Sequence, residues 1–165
     1  MITLRPLSAA DLTPELEAWY SNADGHLAYF SGSGRSFSLE AVANEASELL
    51  RTSRGEIALI EYEGQPIGTA KIGPVDKLNG QSDVVVLICN REWAGKGIGT
   101  QAIKAASDYA IQRYGLRVLR GGIMADNIAS LKAYTRAGWV EEGRLKDFYR
   151  RDGRLMDRIL VAYWP

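Results

Sequence analysis

Apolar and polar positions along this chain follow two periods, and the places where one period gives way to the other divide it into elements. Residues 2–7, "ITLRPL", read as a short first strand. "TPELEAWYSN" (13–22) has Pro14 at a helix start. "LEAVANEASELLR" (39–51) is amphipathic, with Val42, Ala46, Leu49 and Leu50 towards one side. "EIALIEY" and "PIGTAKIGPV", joined at "GQ", predict a hairpin. Asn79-Gly80 is a turn signal, and "DVVVLICN" (83–90) is so apolar that it predicts a strand buried on both faces. A helix over 100–114 closes at Gly115; "LRVLRGGIMA" is a strand and "DNIASLKAYTRAG" a short helix ending at Gly138. "WVEEGRLKDFYRR", the turn Asp152-Gly153 and "RLMDRILVAYW" close the chain as a hairpin. The order predicts an α/β (α+β) fold of about seven strands in one mixed, mostly antiparallel sheet with about four helices. No repeat, linker or low-complexity segment interrupts it, so residues 1–165 read as one domain.

Composition narrows the function classes. The residues are 46% hydrophobic and 24% charged, an ordinary globular balance. No apolar run approaches the ~20 residues of a membrane span, and "MITLRPLSAADL" lacks the apolar stretch of a signal peptide, so a cytoplasmic protein is expected. Lys plus Arg equals Asp plus Glu, which argues against nucleic-acid binding. Residues 1–65 nevertheless hold ten acids against four bases, and residues 66–165 ten acids against sixteen bases. That asymmetry suits either solvated faces or a cationic substrate met by the first part and an anionic cofactor by the second. One histidine (His26) and one cysteine (Cys89) cannot build a usual zinc site, so no metal is expected. Cys89 reads as an inert buried thiol and His26 as a surface loop residue.

Three glycines, Gly95, Gly97 and Gly99, stand directly before a run of good helix formers. Glycine tolerates positive φ and lets main chain approach a ligand, and a helix start offers unpaired N–H groups with partial positive charge. Together they make a phosphate seat. The dinucleotide pattern G-x-G-x-x-G fails at Thr100, and Walker A fails because Gly97 follows Lys96. Further on, Asn127, Ser130 and Tyr134 share one helical face, with Asn127 also a plausible N-cap and Tyr134 a plausible packing residue.

The pair is informative in its order. A strand, then R/Q-x-x-G-x-G/A opening a helix, another strand, then N-x-x-S-x-x-x-Y-x-x-x-G-F on a helix resembles the GNAT superfamily of N-acetyltransferases. Here the two parts are "WAGKGIGT" and "NIASLKAYTRAGW". Ala94 occupies the family's Arg/Gln slot, leaving pyrophosphate to main-chain N–H groups and Lys96; Trp139 replaces Phe. The tail "EGRLKDFYRRDGRLMD", with Trp93, resembles the branch that acetylates ribosomal-protein N-termini and some nucleotide-linked amino sugars.

The resemblance implies a sheet splayed after its fourth strand, acetyl-CoA as co-substrate, and direct attack of a neutral primary amine on the thioester. Pyrophosphate would lie over Gly95, Lys96, Gly97, Ile98, Gly99 and Thr100. The pantetheine arm would run beside "VVVLIC" (84–89) in the manner of an added strand, with Leu87, Ile88 and Cys89 among the cofactor-binding residues. A main-chain N–H near Ile88 would meet the developing oxyanion, a term worth about 3–4 kcal/mol. Such a splay commonly involves a bulge. Asn127 and Ser130 fall on the family's cofactor positions, and Tyr134 is the expected acid for the departing thiolate. Asp83 falls near the slot where many relatives carry a water-mediated base; the end of a solvated hairpin is the other reading. The first helices and the loop after them would cover the amine site, pointing to Trp19, Tyr20, Tyr29, Phe30 and a glycine-rich lid "SGSGRS". Arg150, Arg151, Arg154 and Arg158 suit either an anionic sugar nucleotide or a solvated hairpin face.

The expected acceptor is a protein N-terminal amine or a small amine such as an amino sugar, with the chain a monomer or homodimer free of nucleic acid and membrane. A non-catalytic acyl-CoA-binding sensor would keep the glycine loop without needing Tyr134. A nicotinamide-dependent oxidoreductase is disfavoured by the motif mismatch.

Overall fold

The computed structural model describes residues 1–21, 27, 29, 38–89, 93 and 95–165. Among them the strands are β1 (Ile2–Pro6), β2 (Glu56–Tyr62), β3 (Gln65–Ile72), β4 (Gln81–Ile88), β5 (Val118–Met124), β6 (Val140–Arg151) and β7 (Arg154–Tyr163). The helices are α1 (Pro14–Tyr20), α2 (Leu39–Arg51), α3 (Ile98–Tyr114) and α4 (Ile128–Arg136). This is a single α/β domain around one mixed sheet, as the order of elements predicts.

Local chemistry explains most boundaries. The Thr13 hydroxyl accepts from Leu16 N–H and caps α1, and Ser38 does the same for α2 through Ala41 N–H. The β2–β3 turn falls on Glu63-Gly64, both at positive φ, one residue before the expected "GQ". On α2, Val42 and Ala46 are buried, but Leu50 is 48% exposed. It lies a turn past Ala46 on the edge of the apolar stripe, where no neighbour covers it.

The sheet runs β1-β2-β3-β4-β5-β7-β6. Every adjacent pair is antiparallel except β4–β5, which is parallel and bridged by the α3 crossover. That parallel pairing holds for three residue pairs only: Gln81–Val118, Ser82–Leu119 and Asp83–Arg120. Beyond Asp83 the two strands part. Among the described residues no register shift interrupts the β3–β4 pairing, so the splay needs no bulge in β4.

Two apolar clusters pack on opposite faces. One gathers Ile98, Ala102, Ile103 and Ala106 of α3, Tyr134 of α4, Trp139 and the facing strand residues. The other gathers Leu16, Trp19 and Tyr20 of α1, Val42 and Ala46 of α2, and Leu59 and Leu87 of the sheet. The expectation that β4 is covered on both faces is corrected here, because Val85 is 38% exposed and Asp83 is exposed too. The second cluster reaches Leu87 but stops short of the β4–β5 junction.

Trp139 anchors the first cluster. It is fully enclosed, its indole N–H donates to the Ser107 hydroxyl at 3.0 Å, and that hydroxyl donates to Ile103 O at 2.7 Å. Trp139→Ala is expected to lower unfolding free energy by about 3–5 kcal/mol in urea titrations, as large-to-small changes in packed cores do.

Candidate active site

The parting of β4 from β5 leaves one edge of β4 without a strand partner. Which groups face the opening follows from register. Gly73 N–H donates to Asp83 O at 2.9 Å, and Cys89 N–H donates to Ile67 O at 2.9 Å. Hydrogen-bonded and non-bonded pairs alternate in an antiparallel ladder, so Asp83, Val85, Leu87 and Cys89 spend their main-chain groups on β3. Val86 and Ile88 therefore turn theirs towards the opening, while Val84 N–H still belongs to the Asp83–Arg120 pairing. A cavity of about 400 Å³ occupies it, with Val86 and Ile88, Gly99 of α3, Gly121 of β5, and Asn127 and Tyr134 among its walls.

At one end of this cavity α3 begins. Gly95 and Gly97 sit at φ +75° and +76°, and a Cβ on either would point into open space. Gly97 is the N-cap and offers no side chain to it, whereas α1, α2 and α4 are capped by Thr13, Ser38 and Asn127. The first intrahelical bond runs from Gln101 N–H to Gly97 O, so Ile98, Gly99 and Thr100 N–H groups are left for an outside acceptor. Lys96 is exposed, with Nζ 5.1 Å from the centre of the Trp93 ring. Trp93 in turn packs edge-on against Tyr62 at 4.8 Å.

At the other wall, Asn127 Oδ1 accepts from Ser130 N–H at 3.2 Å, so the capping reading of Asn127 holds while its side chain still lines the cavity. Ser130 is a wall as well. One turn on, Tyr134 is 7% exposed and packs edge-on against Trp139 at 5.0 Å. Burial pushes its phenol up to about 12, and the Val86 N–H facing the hydroxyl pulls only partly the other way. The hydroxyl thus stays protonated throughout the physiological range.

Other expected residues are placed differently. Trp19 and Tyr20 belong to the α1–α2 core rather than to the cavity walls; the Tyr20 hydroxyl lies 2.7 Å from Thr69 Oγ1. Tyr29 does line the cavity. Phe30, His26, Ala94 and the "SGSGRS" loop lie outside the described residues. Leu87 and Ile88 line the cavity, whereas Cys89, with its N–H committed to Ile67, is not among its walls. Burial raises the Cys89 thiol to about 12, which suits the inert reading. Thr100 faces a different groove, shared with Met1 and Arg136. Asp83 lines a separate pocket of about 250 Å³ with Ser82 and Arg120. Partial desolvation raises its carboxyl, with Arg158, Lys71 and Arg120 opposing. Sequence reasoning included Val86 in the strand beside the arm without singling it out, since its edge depends on β3 register, and it missed Gly121, whose missing side chain keeps the β5 wall open.

A model of the Acetyltransferase (GNAT) domain matches residues 1–140. The chain belongs to the GNAT acetyltransferase family. This GNAT domain is 26% identical over 104 residues to the uncharacterized N-acetyltransferase p20 of Bacillus licheniformis, covering 63% of this chain and 58% of that protein. A probable N-acetyltransferase, YjcK of Bacillus subtilis, is 26% identical over 58% of this chain and 53% of its own length. The chain thus spans a little over half the length of these curated relatives. A ribosomal-protein-alanine N-acetyltransferase from Brucella melitensis superposes with a TM-score of 0.79 at 26% identity, covering 99% of each chain. Spermidine N-acetyltransferase from Vibrio cholerae, solved with CoA and spermine, gives a TM-score of 0.85 at 20% identity over 99% of this chain and 95% of the other. Among the described residues of the GNAT domain no cluster of three or more His, Cys, Asp or Glu could hold a metal, and no helix is long and apolar enough to cross a membrane.

The buried acids of this GNAT domain set its alkaline limit. Tyr20 and Tyr134 are raised from about 10 to about 12, and Cys89 from about 9 to about 12. A raised folded-state value means the fold favours the neutral form. That stability is complete below the unfolded-state value and is lost as pH climbs through the folded one. Urea midpoints are expected to hold level to about pH 9 and to fall between pH 9 and 12, with Tyr134 alone accounting for about 2–3 kcal/mol.

Proposed function

We propose that this chain transfers the acetyl group of acetyl-CoA to a primary amine, with residues 1–165 acting as one N-acetyltransferase domain in the cytoplasm. The observation that carries this reading is the cavity between β4 and β5. It joins a phosphate-competent helix start to a buried phenol facing an open strand edge. Its size falls within the range of small-ligand sites. The residues fit the co-substrate: the uncapped N–H groups at α3 and Lys96 suit a diphosphate, and the open edge of β4 at Val86 and Ile88, where only Val86 N–H already meets the Tyr134 hydroxyl, suits an amide-bearing arm laid along β4. Leu87 and Cys89 drop out of that main-chain role because β3 already engages them.

Acetyl-CoA supplies an acyl carbon and a thiolate leaving group. Ile88 N–H donates to the acyl oxygen as it gains charge. Tyr134 donates to the departing sulfur. With its phenol near 12 and a thiol near 8.5, full proton transfer is uphill by about 5 kcal/mol, so Tyr134 acts by a charge-assisted hydrogen bond rather than by surrendering its proton early. Asp83 lies three residues before Val86, about 10 Å along the strand, and would take the amine proton only through intervening water. The raised Asp83 carboxyl favours that role over an ordinary aspartate. The named acceptors of the superposed structures, spermidine and a ribosomal-protein N-terminus, support an amine acceptor for this chain.

Release of free thiol from acetyl-CoA across a panel of N-terminal peptides, polyamines, amino acids and amino sugars tests the proposal. Thermal stabilisation by acetyl-CoA with no thiol released by any amine would leave an acyl-CoA-binding module instead. Tyr134→Phe is expected to lower kcat by about 10- to 150-fold, the value of a hydrogen bond to a charged group, with CoA affinity unchanged. An unchanged kcat removes Tyr134 from the chemistry. Gly99→Ala separates crowding from strain, since residue 99 has helical φ and its Cβ meets nothing in the free protein. Weaker CoA binding with thermal stability held or raised is the expected result, read by calorimetry.

A further inference from the structure

On the face of the splayed sheet opposite α3 and α4 stands one arginine whose surroundings differ from those of the other cations there. Register puts Arg158 of β7 opposite Met124 of β5, and Ile159, Val161 and Tyr163 take the face packed by α3. Arg158 therefore points to the acceptor side. Its guanidinium lies directly across Gly122, where a Cβ would collide with it, and over the Phe148 ring at 5.0 Å. Gly122 is itself a wall of the β4–β5 cavity. Arg158 Nε is buried with no hydrogen-bond partner, and among the described residues Arg158 forms no ion pair.

The neighbouring cations are engaged. Lys71 pairs with Glu45, and Arg120 pairs with Glu142 at 3.1 Å and also donates to Gln81. Asp83 feels all three cations but makes an ion pair with none of them. A half-buried guanidinium with a desolvated, unanswered N–H is costly unless an acceptor arrives. A planar fork of donors beside a ligand cavity is the geometry that recognises a carboxylate.

Resting on the acetyltransferase reading, we infer that Arg158 binds the carboxylate of the acceptor, so that the substrate is a small amine carrying a carboxylate a few bonds from its nitrogen, an amino acid or its close analogue. The spacing suits this. Arg120 pairs in register with Asp83, so Gly122 lies at the level of Val85, one residue from the Val86 edge where Tyr134 stands. That separation accommodates a short amino-carboxylate spanning guanidinium and reacting carbon, and Gly122, lacking a side chain, leaves room for the guanidinium itself. Cationic polyamines would instead meet Arg158, Arg120 and Lys71 around a single Asp83. The expectation of a cationic acceptor, drawn from the acidic first third of the chain, is replaced by this reading.

The test pairs calorimetry with the thiol assay. N-acetyl derivatives of the standard amino acids and their carboxamides are titrated into the CoA-bound protein, wild type and Arg158→Gln, with Arg158→Lys as the charge-preserving variant. At least one N-acetyl amino acid is expected to bind ten-fold or more tighter than its carboxamide. Arg158→Gln should bring the two within about three-fold while CoA affinity stays unchanged, and Arg158→Lys should fall between. Equal binding of acid and amide, no binding of any derivative, or an acid preference that survives in Arg158→Gln overturns the assignment. The thiol assay reads the underlying activity separately. Thiol release by amines with no preference for a carboxylate leaves acetyl transfer standing and removes Arg158. Acid-selective binding without thiol release from any amine keeps the carboxylate seat and removes transfer.

Discussion

β4 and β5 stay paired for three residues and then separate, and most of the chemistry proposed for this chain depends on that separation. A parallel pair inside a sheet normally satisfies every main-chain group on its shared edge. Here the strands are held together at Gln81–Asp83, and beyond it Tyr134 lines the cavity between them. The orphaned edge of β4 lines a cavity at Val86 and Ile88, both of which are half-buried. It is a row of unpaired donors and acceptors of the kind that an extended, amide-bearing ligand satisfies. Tyr134 answers one of them, Val86, and so places its phenol where the thioester sulfur would depart.

The two apolar clusters do different work around this opening. The α3–α4 cluster fixes the donor side, because the same packing that buries Ile98 sets the uncapped helix start and the same packing that buries Trp139 sets Tyr134. The α1–α2 cluster ends at Leu87 and leaves Val85 and Asp83 uncovered. That uncovered strip, on the same sheet face as Arg158 and Gly122, is the side from which the proposed acceptor would reach the opening. Trp19 and Tyr20 support this side from within the core.

Much of this was legible in the sequence where the signal is local. α2 spans the residues that its pattern predicts, and the order of glycine loop and Asn-Ser-Tyr helix announces the family. What was illegible depends on neighbours distant in the chain. Valines at 84–86 read as doubly buried, yet the α1–α2 cluster takes in Leu87 and leaves Val85 exposed. Trp19 and Tyr20 look like pocket aromatics because aromatic residues serve pockets and cores alike. Arg150, Arg151, Arg154 and Arg158 read as one basic run; only the β5–β7 register shows that Arg158 lies inward against Gly122, while the other three cluster around the hairpin turn. The Val86 edge follows from which β4 residues bond to β3, a parity that no local pattern reveals.

The two clusters share little beyond the sheet itself, and this has a bearing on descent. Replacements beneath α1 and α2, or along the outward face of β5 and β7, can remodel what enters from that side without disturbing the seat for the nucleotide tail. A lineage built on this plan is free to exchange one metabolite for another through drift on a single face, keeping the costly half of its architecture unchanged.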